Sequence, residues 1–124
     1  MKALDVFTTQ YIVTALWSST DDNDKPLDDD YSTQDISQEC LDQMIADCAK
    51  FQAENNAEIH KCLGSFADNL STAGHDFWLT RNGHGAGFWD GDWPEEVGER
   101  LTKASKAFGE FNLYIGDDGQ IYGS

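Results

Sequence analysis

Four side chains capable of chemistry crowd into ten residues: His75, Asp76, Arg81 and His84, the last inside the run Gly83-His84-Gly85-Ala86-Gly87. A histidine beside a carboxylate can act as a general base, and two histidines with a carboxylate can hold a metal ion. The spacing favours neither. No His-x3-His pair puts two ligands on one helix face, and neither Ser71 nor Ser105 sits in the glycine-flanked turn of a hydrolase nucleophile. Asp76 and Arg81 are expected to pair with each other across a hairpin, as polar groups near turns commonly do. No catalytic residue is therefore assigned. His75, Arg81 and His84 are kept as an alternative site for a small molecule or metal. The glycine run lacks the Lys-Ser/Thr of a phosphate loop and the helix that would receive an anion, so it is not read as a phosphate cradle.

Other donor groups fare no better. His60 and Cys62 have no second ligand pair at zinc-finger spacing. Six aspartates fall between positions 21 and 30, but an EF-hand loop starting at Asp22 would need glycine where Leu27 stands and glutamate where Thr33 stands. Residues 18–34 are read as a solvated acidic loop, and no metal or cofactor is expected. Cys40, Cys48 and Cys62 are too few for a disulfide framework and read as buried small hydrophobes in a reducing environment. Trp78, Phe88, Trp89, Trp93, Tyr114 and Tyr122 could stack bases. Basic residues are too scarce for a nucleic-acid groove, so most of these rings are assigned to the core and Trp93 to partial exposure at a partner contact.

Charge is the most informative property. The 124 residues carry a net charge of −15, spread as thirteen acidic against four basic residues in 1–62 and ten against four in 63–124. Such a field repels nucleic acids and anionic membranes and favours a basic partner. The residues expected to meet it are Asp21, Asp22, Asp24, Asp28, Asp29 and Asp30 of the loop, Glu39, Asp42 and Asp47 of the following helix, and Trp93. No apolar stretch approaches the ~20 residues of a membrane span, and no cleavable leader is read at the N-terminus.

The elements that must position these groups follow from periodicity. Leu4, Phe7, Tyr11 and Ala15 predict a helix over 4–17, its stripe widened by Val6, Val13 and Trp17, with a strand over Tyr11 to Leu16 as the alternative that the β-branched content leaves open. Ser37 is placed to cap a helix over 37–55, with Ile36, Cys40, Met44, Ile45, Cys48 and Phe51 inward and an acidic outer face; the pattern resumes from 57 to 63. Residues 77–81 and 86–89 are β-prone and flank Asn82-Gly83, which predicts a hairpin. Asp92, Pro94 and Glu95 open a helix over 92–108, with Val97, Leu101, Ala104 and Phe108 inward and Gly109 as the stop. A second hairpin turns at 116–119. The expectation is one α+β domain over 1–124, with helices on one face of a four-stranded antiparallel sheet made of two hairpins.

The segment His-Asp-Phe-Trp-Leu-Thr-Arg-Asn-Gly-His-Gly-Ala-Gly-Phe-Trp-Asp (75–90) resembles a group of small acidic accessory proteins of tailed bacteriophages. Leu-Tyr-Ile-Gly-Asp-Asp-Gly-Gln-Ile-Tyr-Gly (113–123) and Ala-Leu-Trp-Ser-Ser-Thr-Asp (15–21) extend the likeness over most of the chain. The resemblance implies a phage setting, the host cytoplasm, and a host-directed or DNA-metabolism role, but transfers no catalytic residue. Combined with the charge, it gives the expectation of an inhibitor that occludes a nucleic-acid-handling defence protein of the host, of anti-CRISPR or anti-restriction type, as an acidic DNA mimic. Oligomeric state is left open.

Overall fold

The computed structural model describes residues 5–21, 23–60, 66–83, 87–88 and 93–124. Its order is α1 (Val6–Ser18), two 3-10 turns at Leu27–Asp29 and Thr33–Asp35, α2 (Gln38–His60), α3 (Phe66–Arg81), α4 (Glu95–Lys106), then β1 (Leu113–Ile115) and β2 (Ile121–Gly123). Among the described residues these two strands form the only sheet, antiparallel with Tyr114 opposite Tyr122.

The four-stranded sheet is thus a wrong expectation. Residues 77–81, expected as a strand, are the last turn and a half of α3, and Asn82-Gly83 follows as its exit. Of the partner strand expected over 86–89, Ala86 and Trp89 lie outside the described residues, while Gly87 and Phe88 are buried in a bend and a turn. The reason is position. Every residue from Asp76 to Arg81 is buried, so the C-terminal part of α3 runs through the core and no polar face marks the helical period there. An apolar run of this kind is not told from a strand by periodicity, and burial then overrides the β-propensity of its aromatic residues.

Against α3 lies α1, packed more extensively than any other pair of elements. Gly74 makes this possible: a Cβ there would stand 2.2 Å from the Phe7 carbonyl oxygen. Asp5 caps α1, accepting from Thr8 N–H at 2.7 Å and from Gln52 Nε2 at 3.1 Å. Burial alone would raise its pKa, but these hydrogen bonds outweigh it and hold the carboxyl below the ordinary value. The inward residues are Phe7, Tyr11, Ile12, Ala15 and Leu16; Val6, Val13 and Trp17, expected to widen this stripe, face out instead.

On α2 the expected stripe holds for Cys40, Met44, Cys48 and Phe51, and Ser37 Oγ caps as expected, accepting from Cys40 N–H at 3.2 Å. Ile45 alone of that stripe is exposed. The aromatic centre is Phe51 stacked on Phe77 at 4.2 Å, with Phe7, Phe88 and Phe108 around them. Such rings dominate a small core through buried area. In α4, Pro94 directly precedes the first helical residue rather than sitting inside the first turn, and it makes no side-chain cap; the expected Asp92 cap lies outside the described residues. Gly109 ends the segment in the left-handed region, φ 75°. The C-terminal hairpin docks on the start of α2 through the Ile36–Ile121 bridge and Ser37 N–H to Ile121 O at 2.8 Å. No helix among the described residues is long and apolar enough to cross a membrane.

Candidate functional site

Arg81 ends α3 with its side chain only 3% exposed, and its donors are spent in four directions. Nη1 donates to Asp47 Oδ2 of α2 at 2.9 Å and to the Tyr11 hydroxyl of α1 at 3.0 Å. Nε donates to Gly109 O at 2.8 Å and Nη2 to Phe108 O at 3.2 Å, closing off α4. The rings of Phe77, Phe108 and Phe111 lie within 5.4–5.6 Å of the guanidinium carbon. Burial, the largest influence on the Tyr11 phenol, pushes its pKa up despite Arg81, so the hydroxyl stays protonated. Arg81 is a structural tie and is not free to take a ligand. Nor does it pair with Asp76 as expected, since the Asp76 carboxylate accepts the Trp93 indole N–H at 2.7 Å.

That bond also decides Trp93. The ring, expected to be partly exposed, is 6% exposed and edge-on to Phe88. It lies at the bottom of a cleft of about 600 Å³ lined also by Phe88, Glu95, Glu99, Thr102, Lys103 and Lys106. His75, one helix with Arg81, faces elsewhere: its Nδ1 is 2.9 Å from Thr14 Oγ1 and its ring stacks on Trp17 at 5.8 Å. His84 lies outside the described residues, as do Cys62 and Asp22, and the side chain of His60 is not described. Among the described residues no group of three or more His, Cys, Asp or Glu could hold a metal.

Above Arg81 opens a cleft of about 380 Å³ between α2 and the C-terminal hairpin, lined by Glu39, Gln43, Asp47, Glu110, Tyr114 and Tyr122 among others. A second, of about 370 Å³, lies between the acidic loop and β1 and is lined by Asp21, Asn23, Tyr31 and Tyr114 among others. Tyr114 belongs to both. It is 51% exposed, the most exposed large apolar side chain among the described residues, and is braced by stacking on Tyr122 at 5.9 Å. The Tyr122 hydroxyl donates to Asp118, which raises the phenol and lowers the carboxyl from their ordinary values.

The loop itself is built. Asp21 Oδ1 accepts from the N–H groups of Asn23 at 2.8 Å and Lys25 at 3.1 Å, Asp24 takes φ 62°, and Leu27 is buried as its anchor. Asx turns of this type fix the backbone without a metal. Asp24, Asp28, Asp29 and Asp30 are exposed, as are Glu39 and Asp42 on α2; Asp21 is half-buried. Asp47 departs from its assignment to the outer face, being 15% exposed and held by Arg81. Sequence reasoning missed Tyr114 as a surface residue and Glu110 altogether. Strand alternation, Leu113 in and Tyr114 out, carried the signal for the first.

Cys40 also lines the cleft above Arg81, and its thiol is no nucleophile. Burial, with Glu39 beside it, pushes the pKa up to about 11, and burial pushes the Cys48 thiol up as well. In a Cys62→Ser variant the native protein is expected to alkylate with iodoacetamide at pH 8 at least about tenfold more slowly than free cysteine, reaching full labelling only in denaturant. Labelling at the free-thiol rate would contradict the burial of both.

The chain matches no protein-family model, no curated protein and no solved structure.

Proposed function

We propose that this chain is a phage-type inhibitor acting in the host cytoplasm, which occludes the basic nucleic-acid surface of a host defence protein as an acidic mimic of DNA. The observation that carries the reading is the placement of Tyr114. One exposed, stacked aromatic stands between the carboxylates of the acidic loop and those of α2, in the rims of two clefts. Charge complementarity of this kind raises association rate and excludes acidic partners, while residence time comes from a well-packed anchor. Arg and Lys side chains that normally meet phosphates are suited to both features, since a cation is attracted to carboxylates and to an aromatic face alike. Tyr114 thereby takes the anchoring role expected of Trp93.

The test begins with affinity capture from lysates of bacteria bearing defence systems, with nuclease treatment to exclude bridging nucleic acid. The captured protein is then purified and its DNA or RNA binding assayed with and without the inhibitor. The association rate is expected to fall at least about tenfold between 50 mM and 500 mM salt. Asp28→Asn with Asp29→Asn and Asp30→Asn should slow association, whereas Tyr114→Ala should speed dissociation about thirtyfold. A rate indifferent to salt, or a captured protein that still binds nucleic acid at saturation, would sink the proposal.

A further inference from the structure

A two-stranded sheet has two outer edges, and here only one is occupied. The ladder between β1 and β2 is carried by alternate residues. Asn112 exchanges both its backbone bonds with Ser124 at 2.9 Å, Tyr114 lies opposite Tyr122, and Gly116 N–H donates to Gln120 O at 2.8 Å. In an antiparallel pair the residues between these turn their N–H and C=O groups the other way. On β2 that outward side is taken, since Ile121 O accepts from Ser37 N–H at 2.8 Å and Ile121 bridges to Ile36. On β1 the N–H and C=O groups of Leu113 and Ile115 meet no hydrogen-bonding partner among the described residues.

Those groups border a cleft already described, the one of about 370 Å³ beside the acidic loop. Leu113, Tyr114 and Ile115 all line it and no residue of β2 does, so it follows the edge of the strand and not the face of the sheet. Its other wall is Thr20, Asp21, Asn23 and Tyr31. β1 carries no proline, charge or bulge of the kind that blunts an exposed edge.

We infer that this edge receives an extended, basic segment of the partner protein as a third, antiparallel strand, seated between β1 and the acidic loop. Strand addition takes its affinity from main-chain bonds and its specificity from alternate side chains. Added residues opposite Leu113 and Ile115 each exchange two bonds with β1, which satisfies every outward group of the strand. The residue between them forms the close, non-hydrogen-bonded pair with Tyr114 and stands on the same exposed side. Charge names that side chain. The loop along the cleft holds six aspartates between positions 21 and 30 against Lys25 alone, and Asp117 and Asp118 follow just past Ile115. A lysine or arginine opposite Tyr114 meets this field and the face of the ring together. Leu113 is buried and Ile115 half-buried, so the positions opposite them take apolar side chains. A second copy of this chain suits the edge poorly, because β1 on β1 would bring two acidic loops to one interface.

The inference rests on the proposed function and adds to it the part of the partner that is held. Its test uses the full chain and three capped synthetic peptides: Lys-Val-Lys-Val-Lys, the same sequence with both valines N-methylated, and Glu-Val-Glu-Val-Glu. With the first peptide at about 1 mM, amide exchange read by NMR should slow at least about tenfold at Leu113 and Ile115. Tyr114, whose backbone already faces β2, should not change. The N-methylated and acidic peptides should each bind at least about tenfold more weakly. Ile115→Pro deletes one outward N–H and no bond of the ladder, the place where an edge strand tolerates proline. It should weaken the first peptide at least about tenfold with the circular dichroism spectrum retained; should it unfold, the N-methylated peptide poses the same question to the parent chain. Equal binding of the N-methylated peptide, or unchanged exchange at Leu113 and Ile115, would overturn the inference. So would the same protection on concentrating the chain alone, which would give the edge to a second copy. Failure of the proposed function shows differently: the first peptide still docks, while the captured defence protein goes on binding nucleic acid.

Discussion

Arg81→Ala is expected to cost about 3–5 kcal/mol of folding stability, the range for removing one partner of a buried ion pair. Three separate losses follow from the one truncation. The Asp47 carboxylate, 15% exposed, loses its cation. The carbonyls of Phe108 and Gly109 lose their donors just where α4 ends and can no longer satisfy the helix terminus from within. The rings of Phe77, Phe108 and Phe111 lose the flat cation between them. Against a total of about 5–15 kcal/mol for a domain, this is a large fraction, and the midpoint of thermal unfolding should fall by about 10–20 °C. Arg81→Lys is the sharper variant. It keeps the charge but not the planar fork, and one ammonium cannot reach two carbonyls, a carboxylate and a phenol together. Most of the loss should therefore persist in lysine. Chemical denaturation of the three proteins measures it, and an Arg81→Ala variant within about 1 kcal/mol of the parent would show that the network ties nothing.

Gly74→Ala should be nearly as damaging, although alanine is the better helix former by about 1 kcal/mol. The added methyl would stand 2.2 Å from a backbone oxygen of Phe7, 3.0 Å from its carbonyl carbon and 3.2 Å from Tyr11 N. None of these is the end of a flexible side chain. Two helices must move apart, opening the contact between Phe7, Tyr11, Phe77 and Trp78. Overpacking of a rigid contact costs about 1–3 kcal/mol and sometimes more. The net expectation is a loss of about 2 kcal/mol in urea denaturation. A gain in stability would mean that α1 and α3 do not approach so closely. The same substitution at Gly83, whose surroundings are open but whose φ is 67°, should cost less than at Gly74.

How much of this was legible follows from which signals are local. α2 and the C-terminal hairpin carry theirs on themselves: a serine cap at Ser37, an apolar stripe at helical spacing, and Gly119 in the left-handed region at φ 80°. For α4 the stripe and the Gly109 stop are equally local, and the helix is only shorter at each end than its pattern, running from Glu95 to Lys106. The helix α3 hides because Phe77, Trp78, Leu79 and Thr80 are all buried, which erases the amphipathic period. Leu70, Ala73 and Phe77, spaced three and four apart and all turned inward, hold what trace of the helix the sequence contains. The proposed site was readable in its charge but not in the aromatic residue proposed as its anchor. Aspartates announce themselves by number; the choice between Trp93 and Tyr114 depends on Asp76, which takes the indole N–H of one from another element. Arg81 was noticed for its chemistry and misassigned in its partner, because Tyr11, Asp47 and two carbonyls lie far from it along the chain.

The acidic loop has one more property. Its shape depends on Asp21, Leu27 and backbone bonds such as Asp29 N–H to Pro26 O, whereas the carboxylates of Asp28 and Asp29 make no hydrogen bond or ion pair with any described residue, and that of Asp30 has only the solvent-exposed Lys25 at 3.4 Å. Such an exposed pair contributes little. The carboxylates that face outward can therefore drift, multiply or change sign in descendants of this chain while the framework beneath them is inherited unaltered. On the proposed function, a lineage built this way can follow a changing target at the pace of single substitutions.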